Sequence, residues 1–530
     1  MPQEAALITR EAQTPSVNPA TKEILGYTPV NSVEDLKQAI RQARAAQKVW
    51  AVYPFQKRAK ILKRTRDYLV EHASEWAEIV SHDNGKVRLD ALITDVLSSA
   101  ISMSYYLKHA KKLLKDKKIR PGSLLLFNKY SIIIRVPFGV VGIISPWNYP
   151  ITIPFHEIIL GLMSGNAVIF KTATETQMAG KAIKAAIENA DLPDGLFAFI
   201  NMPGRVAGDA FFDNGIDKLF FTGSVPVGKR LMAKAAQTLT PVSLELGGND
   251  PVIICEDADP ERAVMGTLWA GFSNTGQTCG GVERVYVHEN IYDRYMKLLK
   301  EKVESLRVGY DTDFNVDVGA MTTSEQVEVV KTHIKDALEK GAVIFARSKA
   351  PDDPNLHNFL PAMVLTNVNH EMLLMKEETF GPVVGVMKVK TMEEAIALAN
   401  DSSMGLSASI WSKNQKNAEK IARQIQAGSV MINDHLSSHG MAETPWGGFK
   451  ESGIGRTHGE FGFLEMTQPK VIVKDRLSFA KRDLWWHPYS KKLYDGILGS
   501  LNLLYGKNMG ARLKGLWKLL KIVPRMFKTE

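Results

Sequence analysis

Cysteine is scarce in this sequence: Cys255 and Cys279 are the only two among 530 residues. Two thiols build neither a disulfide framework nor a cysteine-rich zinc site, so no metal is expected and a reducing, cytoplasmic compartment is the default expectation. The opening residues, MPQEAALITREAQ, lack an apolar run flanked by basic residues, and no signal peptide is expected. Long apolar runs are scarce as well. The uncharged stretch 136–155 is long enough to span a bilayer, but it carries Pro137, Pro146, Pro150 and Pro154 together with Asn148. Prolines this dense break a helix, so it reads as a buried strand followed by a loop. Most of the chain has no charge excess either. Residues 1–475 hold 54 of the 66 basic and 54 of the 57 acidic residues, which argues against a nucleic-acid-binding body. The net charge of +9 belongs to residues 476–530, with 12 Lys/Arg against 3 Asp/Glu.

What is there suits a soluble globular protein: 45% apolar and 23% charged residues, in a chain with room for about three domains. Apolar residues at three- and four-residue spacing predict helices over Val33–Ala51 and 57–80. Two apolar runs, 123–127 and 131–136, flank Asn128-Lys129-Tyr130 and predict a hairpin. Short apolar strands then alternate with helices. Strands are expected at 140–145, 167–171, 197–201 and 218–222, with helices at 179–190 and 227–236. A second α/β region runs from about 251 to 430, with strands at 251–254 and 284–288. The alternation predicts an α/β fold with parallel sheets and a nucleotide crevice at the strand ends.

Several motifs carry chemistry. Gly223-Ser-Val-Pro-Val-Gly228-Lys229-Arg230 nearly matches a nucleoside-triphosphate loop, but Arg230 stands where a magnesium-binding hydroxyl is required. What survives is a strand, a Gly-Ser turn and a helix start able to meet a phosphate. Cys279 lies among small and polar residues in Gly276-Gln-Thr-Cys-Gly-Gly281, open to an approaching substrate, whereas Cys255 ends an apolar strand and reads as structural. Glu245, just before Gly247-Gly248, is a candidate base. Ser145-Pro-Trp147-Asn148-Tyr149-Pro150 puts an amide and two aromatics in a stiff loop at a strand end, where an Asn amide can stabilise an oxyanion.

With these residues in view, the chain from about 16 to 475 resembles the aldehyde dehydrogenase superfamily. The matching segments are SPWNYP (145–150), GNAVIFK (165–171), FTGS (221–224), LELGG (244–248), GQTC (276–279), EETFGPV (377–383) and PWGGFKESGIGR (445–456), in the family's order. The resemblance implies an NAD(P)-dependent oxidation of an aldehyde to a carboxylic acid through a cysteine thiohemiacetal and thioester. By it, Cys279 is the nucleophile, Glu245 the general base, and Asn148 with the Cys279 N–H the oxyanion hole. Lys171 meets the adenosine ribose; Trp147, Gly223 and Ser224 lie at the phosphates; Glu378 and Phe380 lie at the nicotinamide ribose. It further implies a Rossmann-like coenzyme domain over 1–120 and 137–246 and a catalytic domain over 247–461. A β-hairpin oligomerisation arm, 121–136 with 462–475, implies a homodimer or homotetramer.

Departures shape the finer expectations. Thr174 stands where NAD-preferring members carry a glutamate, with Glu175 one place late, so NADP is expected to be accepted. The family's second glutamate near the end of the catalytic domain is matched here to Gln468. Similar enzymes for succinate semialdehyde hold its carboxylate with arginines; the matching positions are His156 and Ser273. Tyr149 and Trp446, at the implied tunnel, favour an apolar, medium- or long-chain aldehyde. Succinate semialdehyde is the alternative substrate, and an acyl-thioester-forming relative or a non-catalytic binding protein the alternative class. The tail, 476–530, has apolar faces at Ile497, Leu498, Leu501, Leu504, Tyr505 and at Leu513, Leu516, Trp517, Leu520, Val523. It admits two readings: a helical pair packed on protein, or a peripheral membrane contact.

Overall fold

The computed structural model describes residues 12–528. Residues 1–11, which are the first of the expected coenzyme domain and most of the N-terminal segment read above for a leader, lie outside the described residues. The chain forms two compact units: one runs to Leu114 and resumes over Val136–Gln468, and the other takes Lys115–Arg135 and the chain from Pro469 onward.

The first unit contains two α/β sheets. One has six strands in the order Gly453–Ile454, Val242–Glu245, Lys218–Thr222, Val140–Ile144, Ala167–Lys171, Phe197–Phe199. All pair in parallel except the short edge strand Gly453–Ile454. Counted along the chain, the five parallel strands lie in the order 5-4-1-2-3, the doubly wound arrangement. The order reverses between Val140–Ile144 and Lys218–Thr222, and ligands of such sheets bind in the crevice at that point. Two loops leave these strand ends: Ser145–Tyr149 and Gly223-Ser224. The second sheet has seven strands in the order Val343–Arg347, Met363–Thr366, Val383–Val389, Val282–His288, Asp250–Ile254, Ser407–Trp411, Ser429–Ile432, parallel except for the first.

Strands buried on both faces read as continuous apolar runs, which is why 140–144, 167–171 and 218–222 stand out in the sequence. The uncharged stretch becomes the strand Val140–Ile144, a loop, and then a helix, Thr152–Met163, buried over its whole length. The expected helix 57–80 is two, Phe55–Glu71 and Ala73–Asn84, with His72 as the cap of both.

In the second unit the strand Lys129–Pro137 pairs with Lys117–Ile119, not with 123–127. Leu124–Leu126 is a 3-10 turn held by the Ser123 hydroxyl accepting from the Leu125 N–H. The strand Thr467–Asp475 completes a three-stranded sheet on the other side of Lys129–Pro137. The expected arm segment 462–475 is therefore divided, because the helix Gly459–Glu465 belongs to the first unit. Lys129 binds both Asp475 and Asp483, the latter at 2.6 Å. Two helices follow, Lys491–Tyr505 and Met509–Leu520, and pack against each other through glycines: a Cβ on Gly515 would lie 2.4 Å from the Gly499 carbonyl oxygen.

Candidate active site

Cys279 enters the strand Val282–His288 from a strained approach. Asn274 (φ 50°) and Thr275 (φ 57°) are left-handed, and Gly276 follows at φ 73°. A Cβ on Gly276 would stand 2.1 Å from the Gly381 carbonyl oxygen, so only glycine lets this loop lie on the Thr379–Pro382 segment. A Cβ on Gly248 would stand 2.2 Å from the Cys279 carbonyl, which sets the loop after Glu245 against the nucleophile's backbone.

Three cavities meet at Cys279. The first, about 150 Å³, is lined by Tyr149, Trp446, Ile93, Ile153, Trp269 and Leu436 among others, and no Lys, Arg, Asp or Glu among the described residues lines it. The second, about 20 Å³, holds Glu245, Glu157, His156, His458 and Thr457. The third, about 250 Å³, lies at the sheet's reversal point and is lined by Trp147, Asn148, Gly223, Ser224, Glu378 and Phe380. Cys279 lines all three.

Asn148 is fixed from beneath by residues that sequence reasoning missed. Lys86 and Asp95, both fully buried, pair at 2.8 Å. The Lys86 ammonium also donates to the Asn148 carbonyl at 2.8 Å, and Asp95 accepts the Ile151 and Thr152 N–H groups. Asn274 donates to the same Asn148 carbonyl at 2.9 Å. The Asn148 side-chain amide donates one N–H to the Gln277 carbonyl at 3.1 Å, and an amide carries a second. Tyr149 shares a 2.6 Å hydrogen bond with Thr278, the residue before the nucleophile.

Burial favours the protonated form of the acids of the site. Burial raises the Cys279 thiol above its ordinary range, and Glu378, Asp250 and Glu245 add to the shift. Burial likewise raises Glu245 well above the carboxylate range, with Glu157 next, while Arg456 opposes. Burial pushes Glu157 up to about 8. The histidines of this region are held neutral: burial lowers His156 and His458 well below the ordinary value and His439 to about 4. Cys255, in contrast, ends the strand Asp250–Ile254, lines none of the three cavities, and is pushed up to about 12 by burial.

In the third cavity the Glu378 carboxylate accepts the Gly248 N–H at 3.0 Å. A Cβ on Gly247 would meet it at 2.3 Å. Phe380, left-handed at φ 50°, meets Trp147 edge to face at 5.5 Å. Glu283, another residue missed from sequence, clamps this segment by accepting the Thr379 and Phe380 N–H groups and the Asn249 amide. Lys171 ends its strand buried; burial lowers its ammonium and Glu175 opposes. Thr174 lies exposed on the loop beyond it.

Two sequence assignments shift. Gln468 is exposed on the strand Thr467–Asp475; the residues that face Glu245 from the end of the unit are Thr457 and His458. His156 lines the Glu245 cavity rather than the first cavity, and Ser273 is tied to the Asp90 carboxylate at 3.0 Å.

The family model described as "Aldehyde dehydrogenase family" matches residues 8–472. The chain is 36% identical over 495 residues to the 4,4'-diapolycopene aldehyde oxidase of a Methylomonas species, covering 93% of this chain and 91% of that protein. It is 36% identical to a putative succinate-semialdehyde dehydrogenase [NADP(+)] of Mycolicibacterium smegmatis, covering 85% and 86%. The crystal structure of betaine aldehyde dehydrogenase from Staphylococcus aureus in complex with NAD+ superposes with a TM-score of 0.84 at 30% identity, covering 90% and 94%. The chain belongs to the aldehyde dehydrogenase family, enzymes that use NAD or NADP.

Proposed function

We propose that the chain oxidises an apolar, medium- or long-chain aldehyde to the carboxylic acid, with Cys279 as nucleophile, Glu245 as base and Asn148 as oxyanion donor. The observation that carries this reading is the place of Cys279 between an uncharged cavity, a carboxyl-lined cavity and the cleft at the sheet's reversal point. The residues present fit a dinucleotide. The helix Val225–Ala236 starts at that cleft behind Ser224, whose side chain makes no cap bond, and glycine at 247 leaves room for Glu378. Trp147, Gly223, Ser224, Glu378 and Phe380 would hold the phosphate and nicotinamide side; Lys171 and Thr174 would stand at the adenosine ribose.

The Cys279 thiol must lose its proton before it attacks; Glu245, which lines the adjoining cavity with it, serves as the acceptor once its own carboxyl has given up the proton that burial favours. The sulfur then bonds to the aldehyde carbon, and the second Asn148 N–H meets the oxyanion, a donor worth roughly 3–4 kcal/mol. The chemistry supplied by bound NAD(P)+ is hydride acceptance. After passing the thiol proton to solvent, Glu245 takes a proton from water as the water oxygen bonds to the thioester carbon; the C–S bond then breaks, and the acid leaves with the Cys279 sulfur restored.

A second reading, succinate semialdehyde, draws on the relatives that carry that putative name. No Lys or Arg among the described residues lines the first cavity, which stands against it. Turnover of an aldehyde panel, from succinate semialdehyde to hexanal and longer chains, with NAD+ and with NADP+, tests both. A kcat/KM for succinate semialdehyde above that for hexanal reverses the order. The exposed strand Thr467–Asp475, with Val471 and Val473 in solvent, supports self-association as a homodimer or homotetramer. We place the enzyme in the cytoplasm, with the basic tail as its region of peripheral membrane contact.

A further inference from the structure

The second unit carries a cavity that the reaction does not use. It measures about 440 Å³, and Arg482, Lys492, Lys521, Arg525 and Lys528 line it, with no carboxylate among the described residues that line it. The acidic residues described in the tail are engaged elsewhere: Asp483 with Lys129, and Asp495 with Lys491. Arg525 donates to neutral acceptors, the carbonyls of Leu484, Trp486 and Pro488. Arg482 donates to the Lys528 carbonyl. The three carbonyls fix Arg525 in place through neutral acceptors. Burial chiefly, and then the like charge of the neighbouring Arg482, lower the Arg525 guanidinium, and several cations stand close together at this cavity. Such crowding is relieved by an anion.

Beside this cavity lies an apolar face. The two tail helices turn Gly496, Gly499 and Gly515 inward, where a Cβ would collide with the opposite helix or with Ile522. Their bulky residues are thereby left outside: Leu501 is 52% exposed, Leu513 59%, Trp517 59% and Leu520 56%. Lys521 joins the two features, because it lines the cavity and its ammonium lies 3.1 Å over the Trp517 ring. No helix among the described residues is long and apolar enough to cross a membrane.

We propose that residues 476–528 dock the protein on an anionic phospholipid surface, with a phosphate headgroup in the basic cavity and the face of Leu501, Leu513, Trp517 and Leu520 in the acyl boundary. Charge complementarity selects this occupant. A second copy would bring an equally basic surface against this one and repel it. A nucleic acid would satisfy the cations but leave the leucines in water. A basic, amphipathic helical pair lying in the plane of the interface satisfies both. The proposal rests on the tail alone, so its failure leaves the substrate reading intact.

The test is cosedimentation of the full chain with vesicles of phosphatidylcholine, alone or mixed with phosphatidylglycerol, at low and high salt. The expected result is binding to the mixed vesicles only, reversed by salt. Lys492→Glu with Lys528→Glu should cut binding by more than about tenfold, since each basic residue at such a surface is worth roughly 1 kcal/mol. Trp517→Ser should weaken binding independently, and both variants should keep native turnover of a water-soluble aldehyde, which confirms folding. Sedimentation with neither vesicle, or equally with both, overturns the proposal. Calorimetric binding of inorganic phosphate without vesicle binding would assign the cavity to a free phosphate and equally overturn it.

Discussion

Glu157 and Glu245 line one cavity of about 20 Å³, and after burial Glu157 is the largest influence raising the Glu245 carboxyl. Burial pushes Glu157 itself up to about 8. A carboxyl whose folded value is raised binds its proton more tightly in the native state, so its contribution to stability is lost as pH rises from the unfolded value of 4.5 toward 8. Glu157→Gln removes that loss. Urea unfolding at pH 5 and 7.5 should show the variant gaining on the native protein by up to ~1.4 kcal/mol per pH unit. An unchanged difference between the two pH values means that Glu157 is not buried as a neutral acid.

Replacing the base should separate the two halves of the reaction. Glu245→Gln should release a burst of reduced coenzyme, one per active site, followed by turnover slowed on the order of 10²–10⁴-fold. Stopped-flow absorbance reads both phases. A native steady-state rate would place the base elsewhere.

The two cysteines should differ completely. Cys279→Ser should lower kcat by on the order of 10³-fold or more while coenzyme binding, followed by fluorescence titration, stays near native. Cys255→Ser, at a buried strand end, should keep turnover. The reverse pattern would show that the nucleophile is misassigned.

Asn148→Ala should reduce kcat by about 10²–10³-fold. KM should move far less, because the lost donor acts on charge that develops after binding. A variant that changes KM alone would make Asn148 a substrate-binding residue.

Coenzyme preference turns on the loop after Lys171. Glu175 lies near enough to Lys171 to raise its ammonium, whereas Thr174 is exposed. The native enzyme should accept NADP+; Thr174→Glu should shift kcat/KM toward NAD+, and Glu175→Gln toward NADP+. Strict NAD+ dependence in the native enzyme, abolished in Glu175→Gln, would transfer the discriminating role to Glu175.

Where apolar periodicity and turn chemistry agree, the fold was legible: 33–51 as a helix, 167–171 and 218–222 as strands. The hairpin misled because Leu124-Leu125-Leu126 is apolar without being β-branched, and the Ser123 hydroxyl offers the backbone a local turn instead. Of the site, the residues with unusual neighbours were visible: Cys279 among glycines, Asn148 between prolines. Lys86, Asp95 and Glu283 were not, since each looks like an ordinary surface charge until tertiary packing closes over it. Glu157 did leave a signal, as the lone acid in the otherwise apolar segment Thr152–Met163.

The position of Cys279 at the meeting of three cavities also bears on traffic. On the proposed assignment, aldehyde, water and coenzyme each reach the sulfur by a separate door. The acyl chain can stay seated in its tunnel while the reduced coenzyme departs through the cleft and water enters from the carboxyl side. The acid then leaves by the door through which the aldehyde came. Product acid should therefore compete with aldehyde and leave coenzyme binding undisturbed.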